Sequence, residues 1–162
     1  MLYDESVYSW NQVLVFNLGF DSKGNDITNN WVYFPDKELS FYRVGYYDNI
    51  FNTERMSLYV ELGFTKDAYI DVERWFVRVM DDLKKSGIAT SQALISHSSI
   101  IMNPAYVHIT EHSLHDVIAK KKILEQHGIY SIGRYGSWTY CSIEDGMVEA
   151  KKLSAILDRH SL

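Results

Sequence analysis

The chain has 162 residues, 46% of them hydrophobic and 23% charged, a size and balance that allow one domain with a real core and exclude disordered and coiled-coil classes. A net charge of -5 argues against a non-specific nucleic-acid surface, and no apolar run reaches the ~20 residues needed to span a bilayer. The single cysteine, Cys141, excludes an internal disulfide framework and fits a reducing compartment; with a start, Met1 to Glu5, too acidic for a signal peptide, the expected location is the cytoplasm.

Residues 1–64 read as strands. Val13 to Leu18 is a buried-strand pattern ended by the turn cluster Asp21 to Asp26. Trp31 to Phe34 follows, stopped by Pro35-Asp36, and then Phe41 to Tyr46. Alternation in that last run places Arg43 on the face of Phe41 and Gly45 and opposite Tyr42, Val44 and Tyr46. An arginine there either points at a ligand or sits at a sheet edge in solvent. In Ser57 to Leu62, Leu58, Val60 and Leu62 take one face and Tyr59 and Glu61 the other. The short connections imply mostly antiparallel neighbours, with one face under helices and the other open as a binding floor. The 12 Tyr, 7 Phe and 4 Trp suit such strands, both for packing and for lining a pocket.

Asp71 starts the first helix, whose stripe Val72, Trp75, Phe76, Val79, Met80 and Leu83 is core, and Lys84, Lys85 and Gly87 end it. Ala93 to Ile101 reads as a strand that Asn103-Pro104 breaks, and Ala105 to Thr110 resumes extended structure. His97 reads as a structural histidine. A second helix is expected from Ser113, with a capping box on Asp116, to about Gly128, with Leu114, Val117, Ile118 and Leu124 inward and Lys120 to Lys122 mostly solvated.

The segment His108-Ile109-Thr110-Glu111-His112 spells H-x-x-E-H, a zinc-peptidase signature that needs one helix face. Here it falls on extended formers, where the two histidines would lie ~13 Å apart. No metal site is expected, and Glu61, Glu111, Glu144 and Asp145 show no spacing that pairs them as acid and base.

Near the C-terminus a strand-like run, Ile129 to Ile132, leads into Gly133-Arg134-Tyr135-Gly136-Ser137-Trp138-Thr139-Tyr140. A helix then opens at Ser142, where Asp145 completes a capping box. Met147, Ala150, Leu153 and Leu157 form its expected buried stripe. Unpaired amides at such a corner, with the helix dipole, suit an anionic or electron-rich group. Arg134 adds a charged fork, and Tyr135, Trp138 and Tyr140 add flat faces. The alternative is a plain βα corner whose aromatics fill core, with Cys141 a small inert residue.

Gly133-Arg134, Gly136, Trp138 and Tyr140, followed by a helix rich in small residues, resemble the C-terminal flavin-contacting segment of the FAD-dependent amine oxidase, protoporphyrinogen oxidase and UDP-galactopyranose mutase group. Trp31 to Asp36 leading to Phe41 to Gly45, Leu58 to Glu61, and Asn103 to Tyr106 match the same group in the same order, from about Asn30 onward. The resemblance implies an α+β fold like the substrate domain of FAD oxidoreductases: a mainly antiparallel, aromatic-rich sheet with about three helices, residues 1–162 forming one domain. It implies that Gly133, Arg134, Gly136, Trp138, Tyr140 and Asp145 contact FAD, and that Tyr42, Arg43 and Tyr106 shape the substrate side.

Two departures qualify what is implied. The G-x-G-x-x-G turn that holds the ADP half of FAD is missing, so the chain resembles the C-terminal part of a larger flavoprotein whose N-terminal half or partner subunit lies outside it. Ser142 stands where the mutase branch carries an acidic residue two positions after the tyrosine, which puts mutase activity itself in question. A non-catalytic sugar-nucleotide-binding or protein-interaction module is the alternative, with self-association expected of any apolar patch left by the missing half.

Overall fold

The computed structural model describes residues 4–160 and contains a five-stranded sheet in the order β2-β3-β4-β1-β5. Its strands are β1 (Ser9–Phe20), β2 (Trp31–Tyr33), β3 (Arg43–Tyr46), β4 (Ser57–Thr65) and β5 (Leu94–His108). The helices are α1 (Tyr47–Phe51), α2 (Val72–Lys85), α3 (Glu111–Glu125), α4 (Gly133–Gly136) and α5 (Ile143–His160). Two compact units divide the chain: Asn11–Ala105, and Met1–Trp10 with Tyr106–Leu162. The α+β class and antiparallel pairing expected from the sequence are both present.

In the unit Asn11–Ala105, register explains the core. Val32 pairs Val44, Val44 pairs Val60, and Val60 pairs Phe16, so one row of β-branched and aromatic side chains crosses four strands. With Leu14, Leu18, Leu58 and Leu62 they pack with Val79 and Leu83 of α2. The α2 stripe thus lies where its periodicity put it, and the Asp71 side chain caps the helix by accepting from the Arg74 N–H at 3.1 Å. The Gln12 side-chain amide, 6% exposed, donates to the carbonyls of Thr65, Lys66 and Ala68 and so pins the turn after β4. Asp82, 2% exposed, accepts from the Ser40 N–H and Arg78. Burial works against that carboxylate, but these donors hold it below the usual carboxylate range.

The structure corrects several expectations here. Phe41 does not share a face with Arg43: a bend at Tyr42 precedes β3, strand alternation starts only at Arg43, and Phe41 joins the core with Val44 and Tyr46. Pro104 does not break the strand. β5 runs through it from Leu94 to His108, because β5 is an edge strand and an edge tolerates a missing N–H. His97 stacks on Phe76, centroids 4.2 Å apart, in line with its structural reading.

In the other unit, α3 begins earlier than its Ser113 signal. Thr110 is the N-cap, its side chain accepting from the Ser113 N–H at 3.0 Å while the Ser113 hydroxyl accepts from the Thr110 N–H at 2.9 Å. Asp116 cannot close the expected box because its carboxylate is taken by the Tyr8 hydroxyl and Lys120. Leu114 and Ile118 face solvent rather than inward, and Lys120 and Lys121 are half-buried and paired. Residues 129–132 form an extended connection with no strand partner, and Gly133–Gly136 is one helical turn, so the expected βα corner is a helix–helix connection. The α5 cap does form: the Asp145 N–H donates to the Ser142 hydroxyl, and the Ser142 N–H and hydroxyl donate to the Asp145 carboxylate. These donors hold the Asp145 carboxyl below its ordinary range. Met147 and Leu157 of the α5 stripe are nevertheless exposed, while among the described side chains of the helix Gly146, Glu149 and Leu153 are the half-buried ones.

Among the described residues no helix is long and apolar enough to cross a membrane. No group of three or more His, Cys, Asp or Glu among them is placed to hold a metal ion. His108 ends β5 while His112 lies in α3, so the H-x-x-E-H run does not form one helical face.

Candidate functional site

Two clusters hold the residues singled out in the sequence, one in each unit. In Asn11–Ala105, strand register builds a polar and aromatic floor on the sheet face opposite α2. Trp31 pairs Gly45 and Gly45 pairs Tyr59; in the next row on that face, Tyr33 pairs Arg43 and Arg43 pairs Glu61. Arg43 ion-pairs with Glu61 and donates to the Tyr33 hydroxyl at 3.0 Å, with its guanidinium 5.6 Å from the Tyr33 ring centroid and 5.8 Å from that of Tyr59. Tyr42 donates its hydroxyl hydrogen to the other Glu61 oxygen. Of the two readings of Arg43, a position at the sheet edge does not fit. It lies on an inner strand with its charge answered by a carboxylate only 5% exposed.

Glycine shapes this floor. A Cβ on Gly45 would sit 1.8 Å from the Tyr59 ring, so Tyr59 lies over the backbone of β3 only because residue 45 has no side chain. Burial pushes the Tyr59 phenol up, with Arg43 pulling against it. Tyr47 packs on Tyr59 at 5.1 Å and helps line an open depression of about 360 Å³ with Asp48, Phe51, Thr53 and Ser57. Trp31 and Tyr33 remain 53% and 59% exposed, so flat apolar faces are available beside the hydrogen-bonding row.

The second cluster is built on the α3–α5 connection. Arg134 donates to the Cys141 carbonyl at 2.8 Å and stands between two rings, 5.4 Å from the Tyr106 centroid and 5.1 Å from that of Tyr140. Arg134 and Tyr140, expected on the cofactor side, thus meet Tyr106, expected on the substrate side, around one guanidinium. Tyr140 is 72% exposed and Tyr135 50%. Gly133 has φ +79°, in the left-handed region that favours glycine. Its N–H donates to Glu149 at 2.8 Å, and Glu149 also accepts from the Ser137 hydroxyl and lies 3.7 Å from Lys121. Trp138 offers less free surface than its sequence context suggested. Its ring contacts Tyr8 and Trp10 edge-on at 4.8 and 6.1 Å, and its N–H donates to the His108 carbonyl.

Sequence reasoning missed Glu61 as the partner of Arg43, and with it Tyr33 and Tyr59. The signal was present, since opposite charges on neighbouring antiparallel strands pair across once register is counted. Glu149 gave no comparable signal, because it meets Gly133 only through the path of the connection. The residues fit the ring end of a flavin, through the Tyr106, Arg134 and Tyr140 stack. They do not fit its diphosphate: no glycine-rich turn is present, and the Gly133 amide already holds a carboxylate.

No protein-family model matches the sequence, and no curated protein is similar to it in sequence. Solved structures are similar in fold. A reduced UDP-galactopyranose mutase matches with a TM-score of 0.74 and 21% identity, over 85% of this chain and 32% of that one. A protein from Exiguobacterium sp. 255-15 assigned as a protoporphyrinogen oxidase matches with a TM-score of 0.60 and 12% identity, over 76% and 29%. These are two of the branches that the sequence motifs resemble. The chain spans about a third of the length of each neighbour.

Proposed function

We propose that this chain is the sheet-and-helix portion of a FAD-dependent oxidoreductase of the amine oxidase and UDP-galactopyranose mutase type. Its dinucleotide-binding half would be carried on further sequence or on a partner subunit, in the cytoplasm. The observation that carries this reading is the fold match over 85% of the chain to only 32% of a much longer enzyme; the convergence of Arg134, Tyr106 and Tyr140 supports it. Gly133, Arg134, Gly136, Trp138, Tyr140 and Asp145 would form the cofactor side, and Tyr42, Arg43 and Tyr106 the substrate side.

When bound, the flavin supplies the redox chemistry. The residues of this chain orient and enclose. Arg134, fixed by the Cys141 carbonyl and two rings, presents a rigid planar cation. The Arg43 and Glu61 pair presents donors and acceptors without excess charge, a surface suited to a substrate recognised by hydrogen bonds and ring stacking. An amine, a porphyrin-like ring or a sugar nucleotide of envelope polysaccharide or lipopolysaccharide synthesis meets that description.

The absent fingerprint turn and the filled Gly133 amide favour a second reading, a non-catalytic sugar-nucleotide-binding or protein-interaction module. Purifying the native protein from its source cell, sequencing peptides upstream of this segment and measuring released flavin per chain separates the two. About one flavin per chain, with turnover lowered by Arg134→Ala in that holoenzyme and the fold intact, is the expected result. A native protein without flavin sinks the enzyme reading, and unchanged kinetics in the variant remove Arg134 from the site.

A further inference from the structure

The loop between β2 and β3 is clamped onto α2. The Asp36 carboxylate accepts from the Glu38 N–H at 2.9 Å and the Asp36 carbonyl accepts from the Leu39 N–H at 3.3 Å, which turns the loop. Arg78 of α2 donates to the Glu38 carbonyl at 2.7 Å, and the buried Asp82 carboxylate accepts from the Ser40 N–H at 2.8 Å and from Arg78 at 2.9 Å. Between loop and helix lies an open depression of about 410 Å³, a size that takes a small molecule. Leu39 and Trp75 supply its apolar lining, and Lys37, Arg74 and Arg78 its positive charge. It belongs to the α2 side of the sheet, opposite the floor that carries Arg43 and Tyr59.

Cations are in excess here although the chain carries a net charge of -5. Arg78 is answered by Asp82, and the Glu38 carboxylate is drawn to Lys85 at 3.0 Å. Lys37 and Arg74 are exposed, and neither side-chain head has a hydrogen-bond or ion-pair partner among the described residues. Arg74 stands in the first turn of α2, at the positive end of the helix dipole, and one turn before Arg78 on the same face. Both placements cost stability unless an anion lies between the two guanidinium groups. Asp71 and Glu73 share that end of the helix, but neither lines the depression, and the Asp71 carboxylate is taken by the Arg74 N–H. An oxyanion held by Arg74, Arg78 and Lys37 offsets both costs, and guanidinium forks match the oxygens of a phosphate.

We propose that this depression binds a small phosphate monoester, with the phosphate on Lys37, Arg74 and Arg78 and the organic part on Leu39 and Trp75. The inference stands apart from the flavoenzyme reading, because it uses the opposite face of the sheet and none of the residues placed on the cofactor or substrate side. Calorimetric titration of the full chain with phenyl phosphate and with inorganic phosphate, at about pH 8 where both are mainly dianionic, tests it. One phenyl phosphate should bind per chain, about tenfold tighter than inorganic phosphate because the ring adds buried apolar area. Arg74→Gln and Lys37→Gln remove heads that hold nothing in the fold, so each should weaken phenyl phosphate about tenfold with the circular dichroism spectrum unchanged. Lys84→Gln, an exposed lysine of the same helix outside the depression, should leave binding as it is. In nitrogen-15 spectra, the guanidinium signals of Arg74 and Arg78 should move on titration. Equal affinity for the two ligands overturns the proposal, as does a loss in Lys84→Gln as large as that in Arg74→Gln, which would mean attraction to general surface charge. Signals that move only at Arg43 or Arg134 overturn it as well, by placing the anion in one of the two clusters described above.

Discussion

The two units treat apolar residues in opposite ways. In Asn11–Ala105, Phe16, Leu58 and Val60 have no exposed surface, and the buried polar groups Gln12, Asp48 and Asp82 all have partners. In the other unit, Ile118, Met147 and Ile143 are 52%, 62% and 84% exposed on well-formed helices. α2 and α5 carry the same kind of helical apolar pattern, but only α2 has a sheet in its own unit to lie on. Periodicity therefore shows that a face needs cover, not which surface supplies it.

Side-chain truncation separates the two units most directly. Phe16→Ala should cost about 3–5 kcal/mol, lost burial plus a cavity, while Met147→Ala should stay within about 0.5 kcal/mol in dilute solution. Urea unfolding of both variants measures the contrast, and equal losses would mean that Met147 is packed. Alkaline titration should reveal the closed unit next. Burial, with Asp26 and Asp48 nearby, pushes the Tyr46 phenol from 10.0 up to about 12. An unfolded chain ionises this tyrosine first, so the folded state holds the extra proton between the two values. Its stabilisation is complete below pH 10 and falls as pH rises to about 12, by up to about 2–3 kcal/mol. Tyr46→Phe should remove that part of the slope in stability against pH; an unchanged slope would mean that Tyr46 ionises freely.

Packing beneath the aromatic floor gives a smaller effect. Gly45→Ala should cost about 1–3 kcal/mol through overlap with Tyr59, and the double variant with Tyr59→Leu should lose less than the sum of the two single variants. Strict additivity would show that the ring swings away freely. The smallest change is expected in the open unit, where Thr110→Ala should lower stability by about 1 kcal/mol through loss of the α3 cap. Melting curves that do not move would place the start of the helix elsewhere.

Most of the closed unit was legible in the sequence, because strand alternation and the α2 stripe are local patterns that the sheet satisfies. Phe41 escaped because a bend before β3 shifts the alternation, and Pro104 because edge position is a property of the whole sheet. The open unit was less legible. Two caps compete at Thr110 and Ser113, and the winner is decided by Asp116 being claimed by Lys120 one turn along α3 and by Tyr8 from far away in the chain. The meeting of Tyr106, Arg134 and Tyr140 was foreseen only as membership of one family pattern, since contact across a loop leaves no periodic trace.

The carboxylate of Glu149 on the Gly133 amide carries a consequence for any anion that approaches this corner. A tethered group is present at a fixed, high local concentration, so a free guest is weighed against a competitor that never diffuses away. Its apparent affinity is its intrinsic affinity multiplied by the fraction of molecules in which Glu149 has let go; a released fraction of about 1% makes binding about a hundredfold weaker. The corner would then act as a threshold, silent to dilute anions and open only to a guest with further contacts of its own.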